Sequence, residues 1–120
     1  MMPNAPIILI VEDDYDIRIL LARYLEERGY RLALANERSL GADILRATAP
    51  ILLIVDVKLR GGNGLDLAKL AYAMNIPVLL ISGEPVAIEQ NEGGPIPFLQ
   101  KPFRLAVLEQ KIKDILGRSR

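Results

Sequence analysis

Near-continuous apolar runs recur along this 120-residue chain, at Ile7–Val11 (IILIV), Ile51–Val57 (ILLIVDV) and Val78–Ile81 (VLLI), and they constrain the fold more than any other feature. A strand apolar throughout has to be covered on both faces, as in a parallel sheet flanked by helices. Between the runs the period lengthens to that of helices. Tyr15–Arg28 puts Ile17, Leu20, Leu21, Tyr24 and Leu25 on one helical face and meets a stop at Gly29. Arg31–Ala35 reads as a short second strand, and Ser39–Ala47 as a helix with Leu40, Ile44 and Leu45 inward, closed by Pro50. A Gly61-Gly62-Asn63-Gly64 loop leads into a helix with Leu67, Leu70, Ala71 and Met74 on one side. Phe98–Gln100 is a fifth strand, and Pro97 just before it suits an edge position. Arg104–Leu116 closes as a helix with Leu105, Leu108, Ile112, Ile115 and Leu116 aligned. Gly83–Gly94 has little helical drive, so a helix there is expected to be short or irregular. Five strands alternating with helices predict a doubly wound parallel α/β sandwich.

Composition then removes whole classes of chemistry. Fifteen Lys and Arg against fifteen Asp and Glu give a formal net charge of zero, which leaves no electrostatic footprint for nucleic acid or an anionic membrane. The chain has neither Cys nor His, so disulfides, thiolate or imidazole metal sites and His-based triads are excluded. No apolar run exceeds five residues, far below the ~20 that span a bilayer. Met1–Pro6 lacks the basic start and apolar stretch of a secretion signal. The expectation is one soluble, cytoplasmic domain over residues 1–120, with a core of about 6–117, whose chemistry rests on carboxylates, Lys, Ser or a hard metal.

In doubly wound sheets the functional crevice lies beyond the carboxyl ends of the strands. The first strand ends in Glu12-Asp13-Asp14, the third reaches Asp56, the fourth runs into Ser82-Gly83 and the fifth into Lys101-Pro102. Carboxylates gathered on one rim repel one another unless a cation sits among them, and oxygen donors without His or Cys favour Mg²⁺. Each residue also has a local reading: Asp14 as a helix N-cap, Asp56 and Ser82 as turn formers, Lys101 as a solvated charge. Their convergence from four strands of one sheet weighs against all four local readings at once.

The segments ILIVEDD (Ile8–Asp14), LLIVDVKL (Leu52–Leu59) followed by Gly64, LLISG (Leu79–Gly83) and FLQKPF (Phe98–Phe103) resemble, in order and spacing, the receiver domain of bacterial two-component response regulators over nearly the whole chain. The resemblance implies a flavodoxin-like sheet of order 2-1-3-4-5 and a role as phosphoacceptor rather than enzyme, the only chemistry being the domain's own phosphorylation and dephosphorylation. It implies Asp56 as the carboxylate that takes a phosphoryl group from a kinase phosphohistidine. Mg²⁺ would be held by Asp13, Asp56 and the backbone carbonyl of Lys58, with Glu12 acting through a water. Lys101 would contact a phosphoryl oxygen and precede a cis peptide at Pro102. Ser82 and Phe98 would form the switch pair. The partners implied are a sensor histidine kinase or histidine phosphotransfer protein and an unidentified downstream protein, with no direct contact to nucleic acid or membrane. The chain would act as a monomer or a weak phosphorylation-dependent dimer.

This sequence departs from the family in three ways. Arg60 stands where Pro is usual, the stretch from Ser82 to Lys101 looks about three residues short, and only Gly117–Arg120 follows the last helix, as expected of a stand-alone regulator. Two surface features add expectations. Tyr15, Ile19, Ala22 and Glu26 form a stripe opposite the assigned core face of the first helix and are read as the phosphodonor's docking surface. Lys58 and Glu84, at the ends of neighbouring strands, are close enough to pair over the site and hinder water. The alternative reading is a pseudo-receiver that is not phosphorylated and serves only as a protein-interaction module. A Mg²⁺-dependent aspartyl phosphatase would resemble a D-x-D pattern where Lys58 stands, and a flavodoxin-like cofactor carrier would have to cradle phosphate on the acidic Glu12–Asp14 loop.

Overall fold

The computed structural model describes residues 6–84 and 96–118. In chain order the elements are β1 (Ile7–Val11), α1 (Tyr15–Glu27), β2 (Arg31–Ala35), α2 (Arg38–Thr48), β3 (Leu52–Asp56), β4 (Lys58–Leu59), β5 (Gly62–Asn63), α3 (Gly64–Ala73), β6 (Val78–Ser82), β7 (Phe98–Gln100) and α4 (Leu105–Arg118). Five parallel strands make the main sheet in the order β2-β1-β3-β6-β7. Counted as the five principal strands, this is 2-1-3-4-5.

The continuous runs are apolar throughout because each strand feeds two cores. Leu9, Val11, Leu53, Val55, Val78 and Leu80 face one side, where α2 and α3 cover them. Ile8, Ile10, Leu52, Ile54, Leu79 and Ile81 face the other, beneath α1 and α4. Alternation of side chains along a strand thus serves two packed layers instead of one layer and solvent. Gly29 ends α1 at φ +90°, a conformation that glycine adopts without steric cost. Among the described residues no helix is long and apolar enough to cross a membrane. The expected short or irregular helix falls largely on residues 85–95, outside the described residues.

Three helix and loop expectations need correction. Ala22 is only 5% exposed, whereas Leu20 is 53% exposed, so α1 is rotated from the assigned face. Ile17, Ile19, Leu20, Leu21, Ala22, Tyr24 and Leu25 occupy well over half the helix circumference, and periodicity cannot choose among such faces. The small Ala22 turns toward the sheet beside Leu21 and Leu25, and Ala22 therefore leaves the exposed stripe. In α2, Leu40 faces outward and Gly41 inward, because a Cβ at Gly41 would lie 2.9 Å from Val11 Cγ2. The Gly61–Gly64 loop is in part a two-stranded antiparallel ribbon that pairs Lys58 with Asn63 and Leu59 with Gly62.

Candidate functional site

Strand pairing brings the predicted rim together. Asp56 lies opposite Ile81 and Ser82 opposite Gln100, and the Lys101 amide donates to the Ser82 carbonyl at 2.8 Å. The Lys101–Pro102 peptide is cis. The Lys101 ammonium donates to Asp56 Oδ2 at 2.5 Å and to Glu12 Oε1 at 2.7 Å, bridging acids from the first and third strands. Asp56 is 6% exposed and its Oδ1 accepts from the Lys58 amide at 3.0 Å. Glu12 is fully buried, and its Oε2 accepts from the Asp14 amide at 3.1 Å. An open cleft of about 440 Å³ lies over these groups, bordered also by Asp13, Lys58, Ser82 and Glu84.

Asp14 stands apart from the acid cluster. Its Oδ1 accepts from the Ile17 amide at 3.0 Å, which makes it the N-cap of α1. Glu12, Asp13 and Asp56 each offer a carboxylate oxygen within 4.8 Å of the others. Three clustered oxygen donors, with no sulfur or imidazole nearby, match the coordination chemistry of a small hard cation such as Mg²⁺. The Lys58 ammonium pairs with Glu84 at the same cleft, and being cationic it cannot ligate a metal, so any contribution of Lys58 to a cation comes from its backbone carbonyl.

Ser82 is buried. Its hydroxyl accepts from the Glu84 amide at 3.0 Å and contacts the Glu84 carbonyl at 3.3 Å, a local turn. Phe98 is half-buried against the α2–α3 core, in register with Leu80. Tyr15 and Glu26 are exposed and Ile19 is half-buried. On the other flank of α1, a groove of about 390 Å³ runs to the start of α4, with walls that include Ile17, Leu20, Pro102, Phe103 and Leu105. Lys101 lines both groove and cleft.

Electrostatics follow from this packing. Burial pushes the Glu12 carboxyl up to about 7; hydrogen bonds from Lys101 and the Asp14 amide pull it back, and the Asp56 charge raises it further. Burial works against the Lys101 ammonium, but its hydrogen bonds to Asp56 and Glu12 outweigh that and hold its pKa above the ordinary lysine value. The sign of the Glu12 shift predicts a pH dependence in metal-free buffer. The unfolded chain releases this proton near 4.5 and the folded chain near 7, so the stabilisation is complete below the lower value and is lost as pH rises through the upper. Between about pH 5 and about pH 8, with EDTA present, urea midpoints of the wild type are expected to fall more than those of Glu12→Gln. Parallel pH profiles for the two proteins would contradict the assignment.

Several participants carried no sequence signal strong enough to single them out. Glu37 caps α2 by accepting from the Leu40 amide, although Glu is an uncommon cap. Gly64 packs directly on the Asp56 carbonyl; the sequence marked it only as the glycine that follows the LLIVDVKL segment, with no sign of this contact.

The chain matches the response regulator receiver domain family over residues 8–113. It is 32% identical to Sporulation initiation phosphotransferase F of Bacillus subtilis (strain 168), across 91% of this chain and 92% of that protein. It is 30% identical to Transcriptional regulatory protein AfsQ1 of Streptomyces coelicolor, across 94% of this chain and 52% of that protein. The chain spans about half the length of most of the curated relatives it matches. Among solved structures, the non-phosphorylated HemR receiver domain from Leptospira biflexa superposes with a TM-score of 0.85 at 31% identity, covering 96% of this chain and 97% of that one.

Proposed function

Because the chain belongs to the response regulator receiver domain family of two-component signalling, we propose that Asp56 accepts a phosphoryl group from a phosphohistidine and that the phosphorylated domain changes its binding to a partner protein. The observation that carries this reading is the Lys101 bridge, which places one ammonium between the buried carboxylates of Asp56 and Glu12. In the transfer, an Asp56 carboxylate oxygen forms a bond to phosphorus as the phosphorus–nitrogen bond breaks, and the bonding electrons leave with the imidazole. Positioning and charge neutralisation dominate such a reaction. Lys101 releases its hydrogen bond to Asp56 and turns its charge to the incoming phosphoryl oxygens. Asp13, Asp56 and the Lys58 carbonyl, with Glu12 acting through a water, would hold Mg²⁺, which when bound neutralises charge on the transferring group. Ser82, freed from its turn with Glu84, donates its hydroxyl to the new phosphate, and Phe98 follows it inward.

The phosphodonor is a cytoplasmic histidine kinase or histidine phosphotransfer protein. Its helices seat on Tyr15, Ile19 and Leu20 and enter the groove at Phe103. Lys101 joins that groove to the cleft, so a donor seated there reaches Asp56 directly. Incubation with acetyl phosphate and Mg²⁺, followed by intact mass, tests the function: one added phosphoryl group is expected. A chain that stays unlabelled would instead be an interaction module.

The Lys58–Glu84 ion pair spans the mouth of the cleft. Both side chains are largely exposed, so the pair adds at most about 1 kcal/mol to folding. Its consequence lies in access, because hydrolysis of the acyl phosphate needs a water in line with the bond that breaks. Replacing Lys58 and Glu84 together with Ala is expected to speed loss of phosphate from Asp56 several-fold, measured after donor removal in Mg²⁺. An unchanged or slower rate would refute the lid.

A further inference from the structure

Strand pairing on both sides of β1 stops at Val11. The Glu12 carbonyl that follows accepts a 2.7 Å hydrogen bond from Arg18 Nη1, six residues along and one turn into α1. That carbonyl belongs to the peptide joining Glu12 to Asp13, so whatever fixes its plane leaves only the φ torsion of Asp13 to set the direction of the Asp13 side chain. The neighbours leave Arg18 little freedom. Its own amide donates to the Asp14 carbonyl at 2.9 Å as the first bond of α1, and its guanidinium lies 5.5 Å from the centre of the Tyr15 ring. Asp14 caps the same helix while its amide holds Glu12 Oε2. The 12–14 loop is thus tied to α1 by the Arg18 amide on the Asp14 carbonyl, the Ile17 amide on Asp14 Oδ1 and Arg18 Nη1 on the Glu12 carbonyl, and only the last of these is a bond from a cationic side chain.

We infer that Arg18 is a positioning residue for the metal centre: its guanidinium clamps the Glu12 carbonyl and so aims the carboxylates of Glu12 and Asp13 toward Asp56. The inference rests on the reading that those three acids hold Mg²⁺. It makes a prediction that charge alone reverses. A guanidinium near a cation site opposes the cation by simple repulsion, so if charge were its whole effect, removing it would tighten Mg²⁺ binding. If it positions the ligands, removing it loosens binding, by the ten-fold or more typical of lost outer contacts to metal ligands.

Amide resonances of Asp13 and Asp56, followed by NMR through a Mg²⁺ titration of the full chain, read the affinity directly, and the same spectra report folding. Arg18→Ala is expected to raise the Kd for Mg²⁺ about ten-fold, and Arg18→Lys to recover part of the loss. Should Arg18→Ala fail to fold, Arg18→Gln takes its place. Ile112→Val, a core change beneath α4, lowers stability without touching the loop and is expected to leave the Kd unchanged. An Arg18 variant that binds Mg²⁺ as tightly as the wild type or more tightly overturns the inference and leaves the metal reading standing. A wild type that does not bind Mg²⁺ overturns the metal reading itself, and this inference with it.

Discussion

Asp56→Asn is expected to abolish labelling by acetyl phosphate while the domain stays folded. An amide is not a nucleophile toward phosphorus, yet it matches the carboxylate in shape, and its oxygen can still accept from the Lys58 amide at the Oδ1 position. The ammonium of Lys101 keeps Glu12 Oε1 as its second partner, so the substitution leaves no buried cation without a counter-charge. Intact mass after incubation with donor and Mg²⁺ reads the result, and a circular dichroism spectrum confirms the fold. Full labelling of the variant on another residue would overturn the assignment of Asp56.

The largest structural effect is expected at Gly64, a residue with no side chain that packs on the Asp56 backbone. A Cβ at Gly64 would lie 2.0 Å from the Asp56 carbonyl oxygen and 2.9 Å from Val55 Cγ2. The first of these contacts is with backbone in the middle of the sheet, which has no flexible end to move aside. The Gly64 amide also donates to the Val57 carbonyl at 2.7 Å, pinning the start of α3 to the strand. Gly64→Ala therefore forces either α3 or the strand that carries Asp56 to shift. Overpacking of this kind costs about 1–3 kcal/mol or more, which lowers Tm by roughly 5–15 °C in a domain of this size. Labelling of Asp56 should slow as well, since its own backbone is what the methyl group displaces. Gly61→Ala supplies the contrast: a Cβ there meets no atom, and the cost is only that of φ +85° in a residue other than glycine, about 1 kcal/mol. Equal Tm values for the two variants would refute the close-approach argument.

The readability of this chain divides along a physical line. β1, β3 and β6 could be placed from residue type alone, because strands buried on both faces cannot hide among polar residues; the acids and Ser82 could be placed because they end such strands, and Lys101 because it follows the short edge strand β7. The inward faces of α1 and α2 could not. α1 is apolar over more than one face, and only the sheet beneath it distinguishes Ala22 from Leu20 as the residue that fits. In α2 the deciding fact is a 2.9 Å approach to Val11, which no helical periodicity records. The β4–β5 ribbon was illegible for a related reason: four residues paired two by two carry no alternation to detect. Arg18 is a further case. Its spacing from Glu12 is visible, but nothing in the order of residues says that a surface arginine will turn back to a strand-end carbonyl.

The order in which the sheet is completed has a consequence for synthesis. Glu12 and Asp56 come from the first and third of the five parallel strands, whereas the ammonium that bridges them follows β7, the last to be made and paired only with β6. A chain emerging from the ribosome amino end first exposes the segments that carry the two acids before the segment that carries Lys101. Until then the half-built sheet holds a pair of converging anions in an increasingly apolar setting, which favours a proton on one of them. Docking of β7 adds the final edge strand and delivers the cation in one event. The last strand to arrive therefore adds a counter-charge along with its backbone hydrogen bonds, and the domain gains its electrostatic balance only when its sheet is complete.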